Sequence, residues 1–241
     1  AEVTSNYVIT DEEAGRKLVC VDPNDIPLVA FNDAEMMMSM PKGLTAATGM
    51  DALTHAVEGY LTPGAWTMSD MFELKAIELI ARYLKNAVDD GSDETAREGM
   101  ALAQYVAGMG FSNVGLGIDH SMAHTLSAHY DTPHGVANAT LLPYVMEYNA
   151  ESPSRAKYLD IARAMGVKTD GMSVDEGVRA AVDAVKALSL SIRIPQRLHE
   201  LGVREEDIPA LAVAAFNDVC TGGNPRPTSV EEIERLYHIA Y

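Results

Sequence analysis

The sequence predicts a mainly α-helical chain, in which a multi-helix domain follows a short β segment. Apolar residues recur at three- and four-residue steps almost without interruption from Pro41 to the end of the chain, which is the period of an α-helix. Runs rich in β-forming residues are confined to residues 1–33. Hydrophobic residues make up 47% of the 241 positions, which is enough for one large domain or two small ones.

The N-terminal segment contains three apolar runs. Residues 3–10 and 17–22 are rich in β-forming residues, and the string DEEAGR between them suits a hairpin connection. A third run, IPLVAF, covers residues 26–31. We therefore interpret residues 1–33 as part of a sheet. The methionines at 36–38 and 40 are interpreted as fillers of gaps in a core, because methionine has this role more often than that of a metal ligand.

Caps and breakers predict the helix boundaries. Ser173 and Ser229 are predicted N-caps, and Glu232 stands at the capping-box position after Ser229. Short helices are expected around Pro195 and Pro209. The longer helices are predicted from near Pro41 and then over 67–88, 94–113, 117–128, 135–149, 154–165, 173–189 and 229–241.

The glycine-rich string GMGFSNVGLG, at 108–117, could be mistaken for a phosphate-binding loop. Its glycine spacing differs from GxGxxG, and a helix rather than a strand is predicted before it. The sequence therefore offers no dinucleotide fingerprint at this position.

The composition excludes some classes of partner. The net charge is −17, and the 18 lysines and arginines are scattered, so we expect binding neither to nucleic acid nor to an anionic membrane. The two cysteines, Cys20 and Cys220, form no disulfide framework, and there is no signal-peptide pattern. A reducing cytoplasm is therefore the expected compartment.

Four of the seven histidines fall between residues 117 and 134. His120 and His124 are four positions apart and would leave one face of a helix, while His134 would begin the next helix after Pro133. Asp51 and His55 form a second pair with the same spacing. Two such pairs plus one further histidine can supply one carboxylate and three imidazoles to a divalent transition metal such as iron or zinc.

A single pair of this kind is more often part of a helix face with a hydrogen-bonded histidine than part of a metal site. Small apolar residues surround both pairs, however, and this composition indicates a packed interior. Histidines buried there need polar partners. The combination of two pairs with His134 therefore favours the metal site.

Three strings resemble the C-terminal part of the iron-dependent (group III) alcohol dehydrogenases: PKGLTAATGMDALTHAVEGY, QYVAGMGFSNVGLGIDHSMAHTLSAHYDTPHGVANATLLPYVMEYN and DVCTGGNPR. The resemblance implies that Asp51, His55, His120 and His134 hold the metal. It also implies that His124 lies beside the metal without binding it.

The resemblance also implies a domain division. Residues 1–35 would belong to the edge of an N-terminal nucleotide-binding domain, and residues 36–241 would form an all-helical metal-binding catalytic domain. The rest of the nucleotide-binding domain, with its GGGS-type glycine loop, has no counterpart in this sequence. The residues that bind the dinucleotide are therefore unknown, and this chain alone is expected to be inactive.

The implied activity is the NAD-linked interconversion of a small primary alcohol or diol, such as 1,2-propanediol, and its aldehyde. The implied cofactors are Fe²⁺, with Zn²⁺ as a possible substitute, and NAD in the full-length protein, which would be a homodimer. His124 is the expected proton-transfer residue, because imidazole titrates near neutral pH. Phe111 and Cys220 are candidates for the wall of the substrate pocket.

Two alternatives stay open at this point. An all-α metal-dependent hydrolase also binds metals through paired His and Asp motifs on helices, although such sites usually hold more carboxylates. A non-catalytic metal-binding fragment is the other alternative. Dependence on a nicotinamide would distinguish a dehydrogenase from the hydrolase. The presence of a nucleotide-binding domain would distinguish it from the non-catalytic fragment.

Overall fold

The computed structural model describes residues 2–11 and 16–241. Within these ranges two strands precede nine α-helices, which are linked by short loops and 3₁₀ turns. The elements are β1 (Asn6–Asp11), β2 (Arg16–Val21), α1 (Lys42–Leu61), α2 (Thr67–Asp89), α3 (Glu94–Phe111), α4 (Ile118–Tyr130), α5 (His134–Asn149), α6 (Tyr158–Ala164), α7 (Val174–Ser191), α8 (Ile208–Phe216) and α9 (Val230–Ala240). The mainly helical fold class is confirmed.

Local sequence explains several of the helix ends. The Ser173 hydroxyl accepts a hydrogen bond from the Glu176 N–H at the start of α7, and Ser229 caps α9 through Glu232 in the same way. The predicted helix over 154–165 is shorter than expected, because Pro153 begins a 3₁₀ turn that continues to Lys157 before α6 starts.

The turn between α4 and α5 controls the direction of the histidine segment. Asp131 ends α4 in the left-handed region, with φ of 55°, which aspartate tolerates better than most residues. Pro133 then stands at the N-cap of α5, so His134 is the first residue of that helix. The chain can therefore return His134 towards His120 and His124.

The helices enclose two hydrophobic cores. The larger core includes Leu53 of α1, Ile80 of α2 and Ile161 of α6. The smaller core joins Met122 of α4 to α8 and α9. Helix α5 contributes residues to both cores and packs against α1 and α4, so these two helices are held on either side of it.

The predicted hairpin is confirmed for its two strands. β1 and β2 pair antiparallel, with Tyr7 opposite Cys20. Residues 12–15 of the predicted connection lie outside the described residues. The hairpin lies close to α4 through β2, and the Ser5 N–H donates to Ser112 Oγ at 3.2 Å, just beyond α3.

Two expectations for the N-terminal segment are wrong. The apolar run at 26–31 forms no strand, and its Leu28 and Phe31 side chains are almost fully exposed. The methionines at 36–38 and 40 are not in the core either, since Met36 is exposed and Met37 and Met40 line a cavity. Apolar composition alone did not determine burial here, because the turn Ala34–Met37 contacts α3 and still leaves the Met36 side chain exposed.

The proposed division at residue 35 into two domains stays a prediction. Among the residues that the structure describes, no helix combines the length and apolar content needed to cross a membrane.

Candidate metal centre

Three helices bring the predicted ligands together at the contact between the two cores. Asp51 and His55 leave α1 one turn apart, His120 leaves the first turn of α4, and His134 begins α5. The His55 and His120 rings are 4.3 Å apart between centroids, and the His120 and His134 rings are 5.4 Å apart. Residues that are up to 83 positions apart in the sequence therefore share one site.

The ligand atoms of Asp51, His55 and His120 lie within 4.8 Å of one another, close enough to share one ion. His55 Nε2 and His120 Nε2 are 3.1 Å apart. Asp51 Oδ1 lies 3.8 Å from His120 Nε2 and 3.6 Å from His134 Nε2. Nitrogen and oxygen ligands about 2.0–2.2 Å from a tetrahedral ion are about 3.3–3.6 Å from one another. Asp51, His55 and His120 therefore fit a divalent iron or zinc ion, and His134, which is close to Asp51 but outside that group of three, stays the fourth predicted ligand.

The hydrogen bonds of His55 and His120 orient both Nε2 atoms towards each other. His55 Nδ1 lies 2.8 Å from the Asp51 carbonyl oxygen, which can only accept, so Nδ1 carries the proton. His120 Nδ1 lies 2.7 Å from Glu58 Oε2, and we assign the shared proton to Nδ1 because Glu58 also accepts from the backbone. In neutral rings the two Nε2 lone pairs then face each other, an arrangement that a cation between them would stabilise.

Glu58 fixes the position of His120. Its Oε2 accepts from the Gly117 N–H at 2.9 Å, and its Oε1 accepts from the Asp119 N–H at 2.8 Å, at the start of α4. Burial raises the pKa of Glu58 to about 7, while these backbone hydrogen bonds act in the opposite direction. Burial also lowers the pKa of His120 well below its usual value. His120 is therefore held as a neutral ring, the form in which a histidine binds a metal.

Asn138 positions the carboxylate of the cluster. Its Nδ2 donates to Asp51 Oδ1 at 2.5 Å and lies 3.1 Å from His134 Nε2. Burial opposes ionisation of Asp51, but His55, His134 and His120 together hold its pKa below the usual value. Burial lowers the pKa of His134 to about 4, although Asp51 acts in the opposite direction. The cluster thus combines an ionised Asp51 carboxylate with His120 and His134 imidazoles that are neutral at neutral pH.

His124 belongs to a separate group on the same helix. Its Nδ1 lies 2.9 Å from Asp218 Oδ2, in the loop that follows α8. Asp218 Oδ1 accepts from the Cys220 N–H at 2.9 Å and from the Ser121 hydroxyl at 3.3 Å. The His124 ring stacks on the His134 ring with centroids 5.2 Å apart, so it lies beside the predicted ligands.

A cavity of about 1030 Å³ opens onto both groups. Four histidines and Cys220 line it, and so do Asn6, Tyr7 and Val8 of β1. Phe111 also lines it and stacks on the His55 ring, with centroids 4.3 Å apart and planes at 29°. The two residues proposed for the pocket wall, Phe111 and Cys220, therefore both face the cavity.

Sequence reasoning missed Glu58, Asn138 and Asp218. Glu58 could have been found, because Asp51, His55 and Glu58 stand at positions i, i+4 and i+7 and share one helix face. Asn138 has the same relation to His134, four positions later. Asp218 lies in the quoted string DVCTGGNPR, but no spacing connects it to His124, which is 94 positions away.

Comparison with known proteins connects this site to a family. Residues 45–241 match the C-terminal model of the Fe-containing alcohol dehydrogenase family. The chain is 63% identical to lactaldehyde reductase of Escherichia coli (strain K12) over 241 residues, which is 100% of this chain and 62% of that protein. It is 46% identical to 1,3-propanediol dehydrogenase of Citrobacter freundii, again over 100% of this chain and 62% of the relative.

Solved structures agree in fold. The crystal structure of a 1,3-propanediol oxidoreductase superposes with a TM-score of 0.96 at 45% identity and covers 100% of this chain, which corresponds to 63% of that protein. The chain thus spans a little less than two thirds of the length of these relatives. By the family match over most of its residues and by these identities, the chain belongs to the iron-containing alcohol dehydrogenase family.

Proposed function

We propose that this chain supplies the metal site of an iron-dependent, NAD-linked oxidoreductase that interconverts a small primary alcohol or diol and its aldehyde. Asp51, His55, His120 and His134 are the proposed ligands. The observation that carries the proposal is the pair of Nε2 atoms of His55 and His120, 3.1 Å apart, with both Nδ1 atoms engaged elsewhere. Fe²⁺ is the proposed ion on the basis of the family, and Zn²⁺ suits the same ligands.

When bound, such an ion acts as a Lewis acid that polarises the oxygen of the substrate. The protein residues then have to orient the substrate and move a proton. His124 can do the second task, because Asp218 holds the proton on Nδ1 and leaves the Nε2 lone pair free. In the oxidation direction His124 Nε2 would accept the proton of the substrate hydroxyl, and in the reduction direction it would return it.

The hydride on the substrate carbon has to pass to a nicotinamide, since no side chain can accept it. The names of the relatives point to small substrates, namely lactaldehyde and 1,3-propanediol. We therefore propose a substrate of three or so carbon atoms.

The alternative hydrolase function has less support. Glu58, the carboxylate that hydrogen-bonds to His120, also accepts from two backbone N–H groups, so it cannot activate a water molecule or hold a second ion without losing these bonds. The relatives reported above are all named as oxidoreductases. A non-catalytic metal-binding fragment would hold the ion through the same residues. It differs from our proposal only because no nucleotide-binding segment would join the chain.

The proposal is tested by the metal content of purified variants. We expect about one iron per wild-type chain and strongly reduced iron in His120→Ala and His134→Ala. His238→Ala is the matched control, because its side chain is 43% exposed on α9 and lies outside the cavity. Circular dichroism of each variant checks that the helices are retained. Undiminished iron in both ligand variants would reject the assignment.

A further inference from the structure

We propose that His124, Asp218 and Cys220 form a second binding site, for a thiophilic divalent cation such as Zn²⁺ or Cd²⁺, separate from the site of Asp51, His55, His120 and His134. One ligand atom from each of the three residues lies within 4.8 Å of the other two. Imidazole, carboxylate and thiolate together are a ligand set that zinc and softer ions prefer.

Hydrogen bonds to one carboxylate already organise the three residues. His124 Nδ1 lies 2.9 Å from Asp218 Oδ2, and Cys220 Sγ lies within 4.8 Å of the ligand atoms of both residues. The neighbouring backbone N–H of Cys220 and the Ser121 hydroxyl hold Oδ1 of the same carboxylate. The His124 and Asp218 side chains are only 7% and 9% exposed. A proton therefore bridges His124 and Asp218 at the place where a cation would lie.

A divalent cation can replace the bridging proton and the thiol proton without leaving a net charge on the ligand group. The thiol loses its proton to solvent, and the proton of His124 moves from Nδ1 to Nε2, so that Nδ1, the carboxylate and the thiolate become the ligands. A divalent ion then neutralises one carboxylate and one thiolate. His124 Nδ1 and Asp218 Oδ2, now 2.9 Å apart, have to separate by about 0.5 Å to bind one ion at about 2.0–2.2 Å each. Rotation of the Cys220 side chain can bring Sγ, which lies within 4.8 Å of both atoms, to its bonding distance of about 2.3 Å.

The cation can enter from the cavity. His124 and Cys220 both line it, as do the ligands His55, His120 and His134. The two sites share no side chain, although the His124 and His134 rings stack. A second ion can therefore bind without removal of the first.

Occupation of this site would inhibit the enzyme. With the cation on Nδ1, Nε2 of His124 carries the remaining proton and cannot accept one from a substrate hydroxyl. This consequence rests on the proposed function, whereas cation binding does not. The experiment therefore measures binding first and uses no substrate.

The test titrates Cd²⁺ into the full chain after it has been loaded with Fe²⁺ under anaerobic conditions. Thiolate-to-Cd²⁺ charge-transfer absorbance in the ultraviolet reports the second site, and elemental analysis after desalting reports both ions. We expect one Cd²⁺ with thiolate absorbance in the wild type. Cys220→Ala should lose this absorbance and bind the second ion at least about 100-fold more weakly.

Cys20→Ala is the matched control, because Cys20 is the other cysteine of the sequence and belongs to neither group of predicted ligands. It should behave as the wild type. His134→Ala, which lacks a proposed ligand of the first site, should lose iron yet keep the Cd²⁺ thiolate absorbance. The experiment therefore distinguishes loss of the first site from loss of the second. Absence of thiolate absorbance in the wild type, or its persistence in Cys220→Ala, would overturn the proposal.

Discussion

Glu58 is the residue that connects the metal cluster to the start of α4. Its carboxylate binds the His120 ring and two backbone N–H groups at the helix N-terminus, where a negative charge is also favoured by the helix dipole. Carboxylates that hold a ligand histidine from behind contribute to metal affinity without touching the ion. Glu58 therefore acts as a positioning residue in the proposed site.

We expect Glu58→Gln to weaken metal binding by about 10- to 100-fold. An amide cannot accept from the His120 Nδ1–H and both backbone groups as the carboxylate does, so Nε2 of His120 is less firmly directed at the ion. Competition with a chelator measures the affinity. Glu98→Gln, an exposed position on α3, is the control and should bind metal as the wild type does. Equal affinity in Glu58→Gln and the wild type would show that His120 is oriented by packing alone.

His124 provides the second prediction at this scale. Since its Nδ1 is bound to Asp218 and it stands apart from the four proposed ligands, His124→Ala should keep full iron content. Turnover of the protein supplied with a nucleotide-binding segment should fall by about 10²- to 10⁴-fold, the usual contribution of a proton-transfer residue. Iron loss in this variant would instead make His124 a ligand.

At the scale of elements, the packing of α1, α2 and α3 depends on a buried acid. Glu73 of α2 is fully buried, and neither carboxylate oxygen has a hydrogen-bond partner among the described residues. The side chain fills the space above Gly59 of α1 and Gly110 of α3, where an added Cβ would come within 2.3 Å of Glu73 Oε1. The two glycines therefore permit the close approach of the three helices around this carboxyl group.

Burial raises the pKa of Glu73 well above its ordinary value of 4.5. The folded protein then binds a proton that the unfolded chain releases above about pH 4.5, so the free energy of unfolding falls as pH rises, by up to about 1.4 kcal/mol per pH unit from this group. This loss continues until the pH passes the folded-state pKa.

We expect Glu73→Gln to remove this dependence, because an amide does not titrate. Its stability relative to the wild type should therefore be greater at pH 8 than at pH 5. Urea unfolding of both proteins at the two pH values measures the difference. Glu78→Gln, at an exposed position of the same helix, should show no such trend. A stability difference that is independent of pH would mean that Glu73 is ionised in the folded protein.

At the scale of the whole molecule, the proposed metal site lies where two cores meet. Helix α1 belongs to the larger core and α4 to the smaller one, while α5 contributes to both. Metal binding to ligands from all three helices should therefore stabilise the two cores together. The full-length homodimer and the cytoplasmic compartment stay predictions.

This chain spans 62% of the length of its relatives, and this difference leads to a prediction about its activity. The described residues form one two-stranded antiparallel sheet and contain no strand–glycine turn–helix unit that could hold a pyrophosphate. Without that unit a nicotinamide is not held near the substrate carbon, and a proximity contribution of roughly 7–11 kcal/mol is lost. We expect this 241-residue chain to bind iron but to oxidise 1,2-propanediol with NAD at a negligible rate.

Addition of an N-terminal nucleotide-binding segment, fused or as a separate chain, should restore activity, measured by NADH absorbance. The same addition to His134→Ala serves as the negative control. Ordinary enzymatic rates from a preparation whose mass shows only the 241-residue chain would place the cofactor site in residues that we treat as structural.

The sequence by itself determined the helical class, most helix boundaries and the pairs Asp51/His55 and His120/His124, because these features depend on spacing within one helix. It also indicated where α5 begins, since Pro133 fixes a helix start locally. Such patterns act over a few residues and can be read in order along the chain.

Only the tertiary structure decided that Glu58 binds His120 and that Asp218 binds His124, across 62 and 94 positions. It also decided that the apolar run at 26–31 stays exposed. The physical reason is the same in both cases. Burial and long-range hydrogen bonds depend on which surfaces meet when the helices pack, and local periodicity contains no information about the partner of a surface.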